Sequence, residues 1–174
     1  MATSQNGWPA LSSNSSKLHK WQVPGTDRHF VLRNGSAGFI LCHLILWFHE
    51  KVHKLNEAGS VWDEWAYAWR PIRGDEDDLS NHASGTAVDL NATQYPLGTT
   101  LMAAWRKAKI RVRLKMYRNC VRWGGDYRGR KDEMHFEINR SLEACEFLAK
   151  RLMKTKRGKR ILAANPGQKA VILS

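Results

Sequence analysis

The chain lacks the features that would mark a thiol-based or membrane-spanning protein. Its three cysteines, Cys42, Cys120 and Cys145, are an odd number without a CxxC pair. That argues against a disulfide framework and a thiolate zinc site, and predicts buried thiols. The most apolar run, Phe39 to Phe48, is about half the length needed to cross a bilayer and is interrupted by His43. Residues 1 to about 20 contain no apolar signal core, so a cytoplasmic product is expected, reaching any outside substrate only after release. Acidic residues are scarce too: 16 against 28 Lys and Arg, for a net charge of +12 and a pI near 10.0. This balance predicts attraction to a polyanion without saying which, since nucleic acid, anionic wall polymer and membrane surface all qualify.

What is present fits one soluble domain. The 174 residues are 43% hydrophobic and include eight Trp, several of which are expected at a cleft or interface. Residues 1–25, rich in Ser, Asn, Gly and Pro, read as a flexible tail, 26–153 as the folded domain, and 154–174 as a basic extension. Leu41, Leu44, Ile45, Phe48, Val52 and Leu55 recur at three and four, which predicts a core helix from Ser36 to near Gly59. The alternation of Trp65, Tyr67 and Trp69 with Ala66, Ala68 and Arg70 predicts a strand over Val61 to Ile72, with the aromatics buried. An acidic loop, Gly74 to Asp78, follows. Thr99 to Lys115 reads as an amphipathic helix with a basic outer face, Val121–Trp123 and Met134–Ile138 as short strands, and Leu142 to Leu152 as a last helix. Clustered helices and strands favour an α+β fold with a small antiparallel sheet.

The chemistry concentrates in Ser80-Asn81-His82-Ala83-Ser84-Gly85-Thr86-Ala87-Val88-Asp89 and in Asp132-Glu133-Met134-His135-Phe136-Glu137. Two imidazoles and a carboxylate are a common ligand set for catalytic zinc, with the fourth position left to water of lowered pKa. His82 and Asp89 cannot share an ion on a straight helix or strand, so the chain must double back between them, and Gly85 tolerates the bend. Strand alternation sends His135 and Glu137 to one side and Phe136 into the core. Asp132, in the turn before that strand, can take a proton from water without ligating the metal, as a general base does. Glu133 is the alternative base.

Ser80-x-His82-x-x-Gly85-x-Ala87-x-Asp89 with Asp132-x-x-His135-x-Glu137 resembles the paired signatures of a zinc peptidase family. That family includes D-alanyl-D-alanine carboxypeptidases, vancomycin-resistance D,D-dipeptidases and phage L-alanyl-D-glutamate endolysins. The resemblance spans roughly residues 26 to 153 and implies a single-zinc peptidase domain. It implies His82, Asp89 and His135 as zinc ligands and Asp132 as base, although many relatives carry Glu there. It also implies an upstream Arg that polarises the scissile carbonyl: Trp69-Arg70-Pro71 matches best, with Arg73 as fallback. Trp123-Gly124-Gly125-Asp126-Tyr127 resembles a run bordering the cleft of the phage enzymes, and reads equally as a tight turn packed by Trp123. Ser80, Trp123 and Tyr127 are the expected substrate contacts. The expected activity is that of a monomeric phage endolysin cutting the L-alanyl-D-glutamate bond of peptidoglycan, without membrane insertion and aided by anionic wall polymers. D,D-carboxypeptidase activity is the alternative.

Two other patterns compete. His49-Glu50-Lys51-Val52-His53 fits the HExxH zinc-protease signature, but the core stripe of its helix places Glu50 toward solvent, where it cannot work in a closed cleft. The charge and the interspersed Trp and Arg also suit a nucleic-acid-binding protein or metal-dependent nuclease, yet no helix-turn-helix, zinc-finger or aromatic RNA-binding motif is found.

Overall fold

The computed structural model describes residues 2–55, 62–72 and 75–174, with the side chains of 75–77 left aside. Gly59, Val61, Arg73 and Gly74, which figure in the sequence-based reading, lie outside the described residues. An antiparallel pair, β1 (Leu18–Gln22) and β2 (His29–Arg33), leads into helix α1 (Gly35–Lys51). A hairpin of β3 (Pro71–Ile72) and β4 (Asp75–Leu79) precedes a 3-10 turn, Asn81–Ser84, and strand β5 (Ala87–Asp89). Helix α2 (Ala104–Met116), strands β6 (Val121–Trp123) and β7 (His135–Ile138), and helices α3 (Leu142–Leu152), α4 (Lys156–Ala164) and α5 (Gln168–Leu173) complete the α+β architecture. None of the described helices is long and apolar enough to cross a membrane.

α1 is the axis of the core. Every residue from Gly35 to Phe48 is buried, because the helix is covered by β1, β2 and β7 and by α3, α4 and α5. A helix apolar on all sides belongs in an interior. Gly38 allows β1 and β2 to close over it: a Cβ there would lie 1.9 Å from the Arg33 carbonyl oxygen. Phe48 meets Phe136 of β7 with ring centroids 5.8 Å apart, and Trp123 of β6 stacks on Phe136 at 6.2 Å. Burying each such side chain contributes about 1.5–3 kcal/mol, so the sheet that carries the site is anchored through its apolar face. All three cysteines are free and buried, as expected.

Several expectations need correction. α1 stops at Lys51 because His49 Nδ1 accepts from the Leu55 N–H at 3.1 Å and His53 turns away to meet the Tyr95 hydroxyl at 2.7 Å. The alternating stretch before β3 forms no strand beyond a single bridge, Trp65 to Asp89. Trp65 and Trp69 are exposed, whereas Tyr67 is half-buried and donates to the Leu11 carbonyl at 2.6 Å, and the small alanine side is the one that fits closely against the site. The acidic stretch pairs as β4 instead of forming a loop.

The polar N-terminal stretch is held in place. Trp8 and Leu11 are buried, and Ser4 Oγ donates to Ser84 Oγ at 2.8 Å. Asn6 Nδ2 donates to Thr86 Oγ1 at 2.9 Å and to the Ile138 carbonyl at 2.8 Å. The basic C-terminal residues form α4 and α5, both packed on α1.

Candidate metal centre

The central sheet has the order β5-β7-β6, and its register assembles the site. Asp89 stands directly opposite His135, and Ala87 opposite Glu137, so these side chains share a face, while the intervening Val88 and Phe136 point to the core. The 3-10 turn brings the third group. Ser80 caps that turn by accepting from His82 N–H, and Gly85 ends it at φ 68° before the chain doubles back into β5. Gly85 is needed twice over. The left-handed backbone favours glycine, and a Cβ would come within 2.7 Å of the Arg33 backbone nitrogen.

His82, Asp89 and His135 converge with one donor atom each within 4.8 Å of the others, the only such group of three or more His, Cys, Asp or Glu among the described residues. Asp89 Oδ2 lies 3.4 Å from His82 Nε2, and Asp89 Oδ1 lies 2.8 Å from His135 Nδ1. Hydrogen bonds set both tautomers. His82 Nδ1 donates to the Ala66 carbonyl at 2.5 Å, leaving Nε2 as a buried lone pair with no hydrogen-bond partner. His135 Nε2 donates to Glu137 Oε2 at 3.0 Å, which aims the Nδ1 lone pair at Asp89. Glu137 is itself held by Asn81 Nδ2, by Arg122 Nε at 2.6 Å and by the Tyr127 hydroxyl at 2.7 Å.

Electron-rich atoms facing one another in a buried space require a cation. Burial opposes charging of His135, but hydrogen bonds from its ring to Asp89 and Glu137 outweigh it and push its pKa up to about 10, so a proton on Nδ1 and a metal ion compete for the same lone pair. Burial likewise raises the Asp89 carboxyl, yet the two imidazoles hold it far below the usual carboxylate range. The site thus retains a positive charge strongly. Two imidazole nitrogens and a carboxylate oxygen suit zinc, whose bonds of about 2.0–2.2 Å put tetrahedral ligands roughly 3.4 Å apart. The residues present fit the ion.

Asp89 and His135 open onto a cleft of about 230 Å³ that is also lined by Gln5, Arg70, Ser80, Tyr127, Arg130 and Asp132, with His82 buried behind them at 1% exposure. Asp132 faces this cleft. Glu133 does not: it is 1% exposed, accepts from the Met102 N–H at 2.7 Å and pairs with Lys107, so it ties α2 to the sheet. Gly124 explains how the Asp132 turn is seated, since a Cβ there would meet the Asp132 carbonyl oxygen at 2.4 Å. Trp123, expected as a substrate contact, does not line this cleft. It is 1% exposed, donates its indole N–H to the Glu133 carbonyl at 2.8 Å and packs beneath the sheet. Tyr127 and Ser80 do reach the cleft. The HExxH residues are dispersed: Glu50 is bound by Arg157 at 2.7 Å and Arg160 at 2.5 Å, and His53 serves Tyr95 and Asn91.

A peptidase family model, described as D-alanyl-D-alanine carboxypeptidase, matches residues 73–138. That window contains His82, Asp89, Asp132, His135 and Glu137, and begins just after Arg70. It supports a metallopeptidase of the kind that acts on peptidoglycan. No curated protein and no solved structure matches the chain.

Sequence reasoning did not assign roles to Ala66, Asn81, Glu137, Arg130 or Gln5. Glu137 was legible, because strand alternation already placed it beside His135. The Ala66 carbonyl and Gln5 leave no sequence signal, since one acts through its backbone and the other belongs to a stretch whose composition suggests a tail.

Proposed function

We propose that this protein is a zinc-dependent peptidoglycan peptidase that cuts the L-alanyl-D-glutamate amide of the stem peptide, as a phage endolysin does. The observation that carries the reading is the buried His82, Asp89 and His135 cluster, with both tautomers set for metal binding, beside a carboxylate and two guanidinium groups in one cleft. Zinc bound there supplies Lewis acidity and lowers the pKa of water. Asp132 is the proton carrier, taking a proton from the attacking water and delivering it to the leaving amine. Arg70 steadies the carbonyl oxygen as negative charge develops on it, a contribution that can reach several kcal/mol in a water-poor cleft. Arg130 lines the same cleft and offers its guanidinium to a substrate carboxylate. Glu137 and the Ala66 carbonyl keep the two imidazoles aimed. The surplus positive charge concentrates the monomer on anionic wall polymers.

The description of the matching family model favours a second reading, D-alanyl-D-alanine carboxypeptidase, in which a carboxylate also flanks the scissile amide. Mass spectrometry of purified peptidoglycan digested with the protein separates the two. Fragments with a new amino terminus on glutamate support the endopeptidase, whereas loss of terminal alanine alone overturns it in favour of the carboxypeptidase. DNA cleavage with intact wall overturns both.

A further inference from the structure

Amphipathic helices ordinarily turn their apolar stripe toward the core. Helix α2 turns its stripe outward. Ile110 is its buried residue, whereas Trp105, Val112 and Met116 are 55%, 64% and 62% exposed. At 3.6 residues per turn, Trp105, Ala108, Val112 and Met116 form one line along the helix, on the side opposite Ile110. Leu101, just before the helix, is also 65% exposed.

The charges on this helix are of one sign: Arg106, Lys107, Lys109, Arg111, Arg113 and Lys115, with no acidic residue. The same helical spacing puts Lys109 along one edge of the apolar line and Arg111 and Lys115 along the other, with Lys109 also reaching the exposed Lys51 carbonyl at 2.8 Å, while Arg113 turns inward over the Trp47 and Tyr117 rings. The inward side is fastened to the body, through Arg106 on the Tyr95 hydroxyl at 2.7 Å and Lys107 on Glu133. Arg111 lies over the Trp123 ring at 5.6 Å and makes an exposed pair with Asp126 at 2.8 Å, which exchanges readily for another anion.

We infer that α2 docks the protein onto an anionic lipid bilayer. The helix lies flat, with Trp105, Val112 and Met116 in the headgroup–acyl boundary and Lys109, Arg111 and Lys115 on lipid phosphates. A hydrophilic polyanion would use the cations but gives no role to the exposed apolar line. A second copy of the chain would use the apolar line but would press one cationic face against another. A membrane with anionic headgroups satisfies both features at once. Docking requires no span across the bilayer and does not depend on which bond the cleft hydrolyses.

The test is sedimentation of the full-length protein with vesicles of phosphatidylglycerol mixed with phosphatidylcholine, against phosphatidylcholine alone. The wild type is expected on the anionic vesicles only. A Trp105→Ser, Val112→Ser, Met116→Ser triple variant keeps every charge and is expected to lose roughly tenfold or more in partitioning, with its thermal midpoint unchanged. Lys109→Gln with Lys115→Gln should weaken binding in a salt-dependent manner. The inference is overturned if the triple variant binds like the wild type, which would mean charge-only polyanion binding. It is equally overturned if the wild type ignores the vesicles, or forms a dimer that the triple variant dissociates. Chain-brominated lipids supply a check on the unmutated fold: they should quench its tryptophan emission, and Trp105→Phe should remove most of that quenching.

Discussion

Glu137 offers a sharp test of how the metal centre is held. Its two carboxylate oxygens serve separate pairs of donors: Oε2 receives His135 Nε2 and Asn81 Nδ2, and Oε1 receives Arg122 and the Tyr127 hydroxyl. In Glu137→Gln the side chain keeps its shape, but one oxygen becomes an NH2 group that cannot accept. Turned toward His135, that group would force the imidazole proton onto Nδ1 and block the ligand lone pair. Turned toward Arg122, it opposes a guanidinium that is 42% exposed and can swing to water. The second arrangement costs less, so His135 keeps a neutral acceptor in place of a charged one.

Loss of a charge-assisted bond costs about 1.5–3 kcal/mol, discounted here because Arg122 can rehydrate. Altering the partner that orients a metal-bound histidine typically costs 10–100-fold in metal affinity or activity. We expect zinc affinity to fall about tenfold, equivalent to about 1.4 kcal/mol, and stability by roughly 1–2 kcal/mol. Zinc titration against a competing chelator, paired with thermal denaturation, measures both. A folded Glu137→Gln protein with wild-type zinc affinity would refute the role assigned to this carboxylate.

Further outcomes follow from the same structure. His82→Ala or His135→Ala should lose both zinc and activity, whereas Asp132→Ala should retain stoichiometric zinc and lose about 10²–10⁴-fold in turnover. Activity surviving in Asp132→Ala but not in Glu133→Ala would reverse the assignment of the base. Gly85→Ala combines a φ of 68° with a 2.7 Å approach to the Arg33 nitrogen, so it should destabilise by about 1–3 kcal/mol. An unchanged melting temperature would show the turn to be tolerant. Burial, reinforced by Arg113 and Arg157, lowers the His43 pKa to about 3. The unfolded chain therefore binds the extra proton between about pH 6.5 and 3, and the stability due to neutral His43 is present above that window and lost as pH falls through it. Denaturation of His43→Gln across that range should show a shallower acid limb, and an identical limb would remove His43 as its cause.

Much of the site was legible in the chain because its chemistry is local. His135, Phe136 and Glu137 alternate as a strand demands, and Gly85 between His82 and Asp89 marks the only turn that lets both reach one ion. The termini of β6 and α3, and the end of β7, followed from periodicity for the same reason, with β7 starting one residue later than expected. What failed were readings in which composition had to stand for packing. The N-terminal stretch looks like a solvated tail, yet Asn6 and Ser4 bond to groups about 80 or more positions away. The aromatic alternation at Trp65 and Trp69 was read with the correct period and the wrong face, since periodicity does not say which side meets the core.

Residue types and spacing alone therefore pointed to His82, Asp89 and His135 as the candidate ligand set and to the need for a bend, because metal chemistry restricts which side chains can act together. Only the tertiary structure decided which of two adjacent acids faces the cleft, that Trp123 is packing, and that the apolar line of α2 points to solvent. Those choices depend on the register of β5 on β7 and on which surfaces α1 leaves covered, long-range pairings that no local pattern encodes.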